Sequence, residues 1–399
     1  MNISQLILTD FRSYREAALN LAPGVNVFHG KNGAGKTNLL EAVGFLATLK
    51  SHRVASDEPL IRIGADKAII QARIQKQSLT ANIELEILRH QPNRTRINQG
   101  KPEPARNVLG ILQSTTFAPE DLGLVRGDPQ NRRRFIDSQI LQLIPQSGVL
   151  YAEYERVLKQ RAALLKDIKT NGVTSKFNDQ LSLWNEKLVA AGAQITNYRL
   201  AYLAELMTPL NESYRSIDQS SGEVNLSYET KTGNEFQFGS LGSADSIPDN
   251  AAIIEQFTKA LPGIERQEIA RGANLAGPHV DDVMIGLNQM PAKTHASHGE
   301  AWSVALALRL ASLQVLRNVS QREAGSVFWA PLVEPDSHPL LILDDVFAEL
   351  DEGRRNRLAD HLESGNQILI SSATSDAVPK QFFGRMFQVE DGSITQHGD

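Results

Sequence analysis

An apolar run near the N-terminus ends in Gly30-Lys31-Asn32-Gly33-Ala34-Gly35-Lys36-Thr37. The spacing is G-x-x-x-x-G-K-[ST], and that spacing builds a phosphate cradle. Its glycines permit backbone angles at which successive amides point at phosphate oxygens. Lys36 reaches the β- and γ-phosphates, and the Thr37 hydroxyl ligates magnesium. A strand-like run, Val25 to Phe28, precedes the loop. A helix with Asn38 in its first turn follows, so a helix dipole reinforces the anion site. Residues 30–38 are therefore read as the nucleotide cradle, with ATP and Mg2+ as its cofactors.

About three hundred positions later stands Leu340-Leu341-Ile342-Leu343-Asp344-Asp345. Two adjacent carboxylates after a buried strand are unfavourable unless a cation or a proton pairs them. Asp344 is the expected magnesium partner. Asp345 stands where a general base or water-positioning group sits. A third signal is Ser297-His298-Gly299-Glu300, a small hydroxyl residue and a glycine opening a helical stretch, which suits either a plain N-cap or an anion site. His295 and His298 lie three apart and lack a clear third ligand, which reads as a solvated loop rather than a metal site.

These groups need elements to hold them. Residues 1–90 alternate in the manner of strands, interrupted by one helix from Lys36 to Leu49 with Leu39, Leu40, Val43 and Leu46 on one face. Residues 91–107 are polar and carry three prolines, which marks a boundary. Tyr151, Tyr154, Leu158, Arg161 and Leu165 step by three and four. So do Leu181, Trp184, Leu188, Ala191, Ile195, Tyr198 and Tyr202. Two such seams predict an antiparallel helical hairpin, with a second helix of roughly 45–50 Å. Residues 222–260 read as strands and loops, with an exposed loop at 239–249. A helix to Leu316, strands at 340–344 and 367–371, a helix at 353–363 and a closing strand pair near Met386 and Ile394 complete the chain.

The 399 residues are 41% hydrophobic and 22% charged, a globular composition. No cysteine is present, which excludes disulfides and thiolate chemistry. No basic and apolar leader opens the chain, and no stretch approaches the ~18 apolar residues of a membrane span. The best candidate, Val304 to Leu316, carries Arg309. The expectation is a cytoplasmic protein with no membrane partner. The net charge of −5 argues against a basic nucleic-acid binder in bulk. Between Arg126 and Asp167, however, eight basic residues face five acidic ones, with Arg132, Arg133 and Arg134 consecutive. They are candidates for phosphate contacts to DNA or for internal ion pairs.

The order of these motifs resembles ABC-type ATPases. There the helix start at Ser297, Gly299 and Glu300 acts in trans on the partner's γ-phosphate, and Ala348-Glu349-Leu350-Asp351 matches the D-loop. More specifically, the chain resembles the RecF family of DNA replication and repair proteins. The resemblance rests on Leu8 to Tyr14, Gly30 to Ala42, Phe117 to Leu122, Gly127-Asp128-Pro129, Arg132 to Asp137, Gly277 to Asp282 and Leu341 to Asp351. It implies an α/β SMC-like P-loop ATPase head with an inserted helical arm, partitioned as head 1–108, arm 109–215 and head 216–399. It further implies an ATP-dependent homodimer on duplex or gapped DNA, acting with RecR and RecO and indirectly with RecA.

Three departures stand out. Val280 replaces the family's usual arginine. Glu300 stands where ABC proteins favour glutamine. Ser371-Ser372-Ala373-Thr374 lacks the histidine that many ABC ATPases carry. Gln113 is a weak candidate for a Q-loop glutamine. Asp345, one methylene shorter than the usual glutamate, predicts a slow, DNA-stimulated ATPase acting as a switch. A transporter subunit, a short architectural SMC protein and a small-molecule kinase share parts of this motif set. The first would place its motifs closer together and lack the arm. The second requires a far longer heptad rod. The third does not need the Ser297-Gly299 helix start.

Overall fold

The computed structural model describes residues 1–76, 79–172, 175–218, 222–238, 247–318, 327–328, 338–362, 366–374, 378–390 and 392–396. An antiparallel sheet forms from β1 (Asn2–Phe11), β2 (Tyr14–Asn20), β4 (Lys67–Lys76), β5 (Leu79–Leu88), β6 (Arg94–Ile97) and β7 (Glu103–Pro104), in the order β2-β1-β4-β5-β6-β7. A second sheet combines β3 (Val25–His29), β8 (Ser114–Phe117), β13 (Leu340–Asp344), β14 (Ile368–Ser372), β15 (Arg385–Glu390) and β16 (Ser393–Gln396). Its order is β16-β15-β3-β14-β13-β8, parallel throughout except for the β16 edge. Helix α1 (Lys36–Thr48) lies between the two sheets and buries Leu39, Leu40, Val43 and Leu46.

Strand β13 shows why its sequence is an unbroken apolar run. Leu340 and Ile342 pack with α1 and the antiparallel sheet, whereas Leu341 and Leu343 pack into the core on the opposite face. A strand covered on both sides has no polar face to display. That opposite core is built on α8 (His298–Arg317) and the C-terminal half of α5 (Ser175–Asp218). Arg309, which interrupts the apolar stretch of α8, is buried against Asp121 and lies over the Phe135 ring at 4.9 Å. Among the described residues no helix is long and apolar enough to cross a membrane.

The remaining elements are α2 (Leu122–Arg126), α3 (Pro129–Leu143), α4 (Ser147–Asn171), β9 (Val224–Glu229), β10 (Glu235–Phe238), α6 (Asn250–Arg271), β11 (Asp282–Leu287), β12 (Met290–Pro291), α7 (Ala292–His295), α9 (Val346–Glu349) and α10 (Glu352–His361). Helices α4 and α5 pair as the expected hairpin, but a third helix joins them: Phe257 and Leu261 of α6 share a core with Tyr154, Val157, Leu188 and Ile195. The strand-and-loop reading of 222–260 therefore fails from Asn250 onward. Pro262-Gly263 inside α6 masks a helix whose apolar positions Ile253, Phe257 and Leu261 recur every fourth residue, and whose N-terminus is capped by Asp249. Most of the loop expected at 239–249 lies outside the described residues. Helix α5 runs for 44 residues, about 65 Å, past Pro209. It exceeds the expected length because its second half belongs to the head core, where Tyr202 Oη meets Ser312 Oγ at 2.9 Å.

Strand β8 pairs with β13 and so lies in the same sheet as β3. Beyond 215, the sheet β10-β9-β11-β12 and helix α6 pack against α3, α4 and α5. Buried ion pairs tie these pieces together. Arg161 of α4 meets Glu268 of α6 with both side chains fully buried, and Asn185 and Asn274 accept from its Nε and Nη1. Arg199 of α5 forks onto Asp137 of α3. Removing one partner of such a pair typically costs about 3–5 kcal/mol.

Near Arg199, Asp281 is 2% exposed and accepts hydrogen bonds from Tyr228 Oη and the Lys231 amide. Burial raises its pKa from 3.8 to about 6, against the opposing pull of those donors and of Arg199. A raised acid pKa means that the folded state holds the proton more tightly than the unfolded state. This group's contribution is therefore fully present below about pH 4 and is lost, by about 3 kcal/mol, as pH rises through about 6. Asp281→Asn is expected to gain stability over the native chain as pH rises from 4.5 to 7. Denaturant midpoints at the two pH values measure this; a constant difference contradicts it.

Candidate nucleotide site

The phosphate loop joins β3 to α1 and is shaped by two steric demands. Gly30 passes so close to β15 that a Cβ there would meet the Val389 carbonyl at 2.2 Å. Gly35 has φ +113°, and a Cβ would meet the buried Tyr14 hydroxyl at 2.7 Å. Gly33 also has positive φ, and Ala34 donates back to the Lys31 carbonyl at 3.1 Å. Lys36 Nζ is held over the loop by the Gly30 and Lys31 carbonyls at 2.8 and 3.1 Å. Asn38 of the first turn of α1 donates to Ser13 Oγ and accepts from Arg53, which links the loop to the β1–β2 turn. Arg12 of that turn forks onto Glu41 at 2.8 and 2.6 Å. Burial alone would push the Glu41 carboxyl up; the Arg12 fork and the Ser51 hydroxyl outweigh it and hold the group below its usual range.

Parallel pairing of β3, β14 and β13 sets Phe28, Ser371 and Asp344 in one row at the ends of their strands. The row brings Asp344 to Thr37, whose hydroxyl donates to Asp344 Oδ1 at 2.9 Å. Ser371 Oγ donates to the same oxygen, and His52 Nε2 lies 3.8 Å from the other. Burial raises the Asp344 pKa, but His52, Ser371 and Thr37 together bring it below the ordinary value, so the group is ionised. An anionic oxygen pair beside a threonine hydroxyl fits Mg2+, which takes few protein ligands and keeps its waters. Asp345 turns away from the strand at φ +49°, and its amide donates to Ser371 Oγ at 2.9 Å. Half-burial raises its pKa; Asp344 and Glu349 add to the rise and Lys36 opposes it. A carboxylate with raised proton affinity suits a base.

The Ser297 start of α8 is a reciprocal capping box. Ser297 Oγ accepts from the Glu300 amide at 3.2 Å, and Glu300 Oε2 accepts from the Ser297 amide at 2.8 Å. Glutamate serves this box as well as glutamine. Ser297 is exposed, and among the described residues no hydrogen bond or ion pair joins Ser297, Gly299 or Glu300 to the phosphate loop. Gly299 leaves room for Arg354, whose guanidinium a Cβ would meet at 3.0 Å. Arg354 binds Asp351 Oδ2 at 2.6 Å, Ser303 Oγ at 3.1 Å and Asp218 Oδ1 at 3.4 Å. One side chain thus connects the D-loop-like turn, the start of α8 and the end of α5.

The three arginines go to three different places. Arg132 is 5% exposed and forks onto Asp282 at 2.9 Å from both nitrogens, so it supports the fold and is not available to a nucleic-acid phosphate. Arg133 donates to the Asp281 carbonyl at 2.6 Å. Arg134 is half-buried and makes no ion pair or side-chain hydrogen bond among the described residues. Gln113 is not at the site: it precedes β8 and lies beside Leu340, at the opposite end of β13 from Asp344. Val280 is half-buried and follows Pro278, whose carbonyl accepts from Arg199. His295 and His298 are exposed, and His295 bonds within its own turn. Sequence reasoning missed His52, Glu41 and the role of Ser371, because their partners lie far away along the chain.

Two substitutions follow from Tyr14 and Gly35. Gly35→Ala combines a disfavoured φ with a clash, about 1–3 kcal/mol of strain, so nucleotide affinity falls about 10- to 100-fold by titration. Tyr14→Phe removes a buried hydroxyl with no hydrogen-bond partner. Its unfolding free energy is expected to stay level or rise by up to about 1 kcal/mol, and a loss in denaturant titration contradicts this.

Comparison with known proteins agrees with this geometry. Residues 2–395 match the family model of the RecF/RecN/SMC N terminal domain. The chain is 42% identical over 403 residues to the DNA replication and repair protein RecF of Renibacterium salmoninarum, covering 98% of each. It is 42% identical over 415 residues to the same protein of Pseudarthrobacter chlorophenolicus, covering 100% of each. Two solved structures of the recombination mediator protein RecF, in the RecFOR pathway, share the fold, with TM-scores of 0.84 and 0.82 at 24% and 23% identity. They cover 99% and 100% of this chain, and the chain covers 97% and 98% of theirs. The chain belongs to the RecF family, with the α/β ATPase head and inserted helical arm of that family.

Proposed function

We propose that this chain is an ATP-gated, DNA-binding protein of recombinational repair and replication-fork maintenance. The observation that carries the reading is the pairing of a complete phosphate and magnesium site with an incomplete signature. Thr37 and Asp344 meet at 2.9 Å, while the capped Ser297 helix start stands exposed and, among the described residues, without a link to that site. A helix start of this kind is an anion receptor. In a head-to-head homodimer, Ser297, Gly299 and Glu300 of one copy close on the γ-phosphate held by the other. ATP with Mg2+ joins the heads on duplex or gapped DNA, and hydrolysis separates them.

In the hydrolytic step a water attacks the γ-phosphorus, the bond to the bridging oxygen breaks toward ADP, and Asp345 accepts the water's proton. Lys36 and the loop amides stabilise the charge on the transferring group, and Mg2+ held by Thr37 and Asp344 would supply further neutralisation of the phosphates. Turnover is slow and DNA-stimulated, so the reaction acts as a timer. The relatives' names place them in DNA replication and repair, and RecR, RecO and, indirectly, RecA are the partners proposed here. With Arg132 engaged internally, the DNA side is assigned to exposed arm cations such as Arg156, Lys159 and Lys166. The cell compartment proposed is the cytoplasm.

Light scattering with duplex DNA tests the switch. The native chain is expected to double in mass with ATP and Mg2+ and to remain single with ADP, and Lys36→Arg is expected to remain single in both. Asp345→Asn is expected to slow hydrolysis by about 10²–10⁴-fold and to prolong the dimer. A chain that stays monomeric with ATP, Mg2+ and DNA overturns the reading.

A further inference from the structure

Beside the nucleotide site lies a second polar cavity of about 460 Å³, walled by the end of α1, the residues after β8, and helix α3. His52 is the shared wall. Its Nε2 faces Asp344 Oδ2 at 3.8 Å, and the rest of the ring lines the cavity. Across the cavity stand Arg134, Gln139, Gln142 and Arg309.

Buried polar atoms in a folded protein are ordinarily paired, so several orphans around one space need an occupant. Gln139 and Gln142 are each 2% exposed, and Gln139 Oε1 and Gln142 Nε2 have no partner. Arg309 Nε is likewise buried and unsatisfied, although its Nη2 binds Asp121. Two of these orphans, Gln142 Nε2 and Arg309 Nε, are donors. The charge balance has the same sign. The lining carries Lys50, Arg53, Arg134 and Arg309 against Glu120 and Asp121. Arg53 is engaged with Glu41 and Glu120, and Arg309 with Asp121, which leaves Lys50 and Arg134 without a carboxylate among the described residues.

Water would fill such a space but would leave this excess positive charge unanswered. A small tetrahedral oxyanion satisfies both the donors and the charge. A duplex phosphate does not fit the requirement, because the donors are buried and a duplex is a rod about 20 Å wide that cannot bring its backbone to them.

The geometry points to an orthophosphate site in this cavity, one wall away from Asp344, that receives the product anion after γ-phosphate cleavage. The assignment rests on the ATP-hydrolysis reading above and adds a destination for its product. It also gives Arg134 a role inside the molecule, at the junction of arm and head, in place of a contact to DNA.

Calorimetric titration of inorganic phosphate into the full chain tests it in a Lys36→Ala background, where the phosphate loop is silenced. Phosphate is expected to bind the Lys36→Ala chain. Adding Arg134→Gln is expected to weaken that binding at least tenfold, and Arg134→Lys to retain most of it. A short duplex added as competitor is expected to leave it unchanged. Loss of phosphate binding with Lys36→Ala alone, or indifference to Arg134→Gln, overturns the proposal, as does displacement by duplex DNA, which would make the anion a backbone phosphate. A separate ATP titration of the native chain keeps the two readings distinguishable: ATP binding without cavity binding sinks only this inference.

Discussion

A carboxylate that is 2% exposed cannot stay charged without help, and Asp344 is such a group. Its help comes from Thr37, Ser371 and His52, which stand on three different stretches of chain. To bring them together, β3, β14 and β13 must lie side by side, parallel and in register. For that, both faces of the sheet must be covered, one by α1 and the antiparallel sheet, the other by α8 and α5. The two-sided burial of one acidic strand end therefore accounts for the layered head. The same low-polarity setting strengthens every charge–dipole interaction that a bound phosphate would make there.

The arm follows a second logic. Its charged groups are arranged inward: Arg161 with Glu268, Arg199 with Asp137, Arg132 with Asp282. Each pair bridges two elements that the hydrophobic pattern alone would leave free to slide. Buried pairs of this kind contribute little net stability against an apolar substitute, but losing half of one is costly. They act as registration marks between α3, α4, α5, α6 and β11. Arg354 serves a similar purpose in the head, where it holds Asp351, Ser303 and Asp218 to one guanidinium. The end of α5 is thereby tied to the start of α8 through one side chain.

What could be read in the sequence was what depends on near neighbours. The phosphate loop, the N-cap at Ser297 and the aliphatic run before Asp344 are all short-range patterns, and the helix and strand that carry them stand where their spacing predicts. The α4–α5 seam was visible for the same reason. Hidden from the sequence were groups whose role is set by a partner elsewhere. Arg132 and Arg134 are two residues apart and identical in type, yet one is locked to Asp282 and the other lines a cavity. Ser371 was visible only as a missing histidine; its hydroxyl on Asp344 depends on the β13–β14 register. Helix α6 escaped because a proline and a glycine stand inside it, where docking against α4 and α5 overrides the local preference.

The strand order β3-β14-β13 also bears on how the molecule is made. A ribosome delivers β3 and the phosphate loop first and the strands on both sides of the magnesium position last, with Thr37 and Asp344 separated by 307 residues. Contacts of such long sequence separation form late, because closing the loop between them costs entropy before any contact repays it. The nascent chain thus carries an unpartnered β3 edge through most of its synthesis, and only the last strands to emerge complete the sheet. Thr37 meets Asp344 only once β13 has joined the sheet, so the carboxylate end of the candidate site is the last part of it to form.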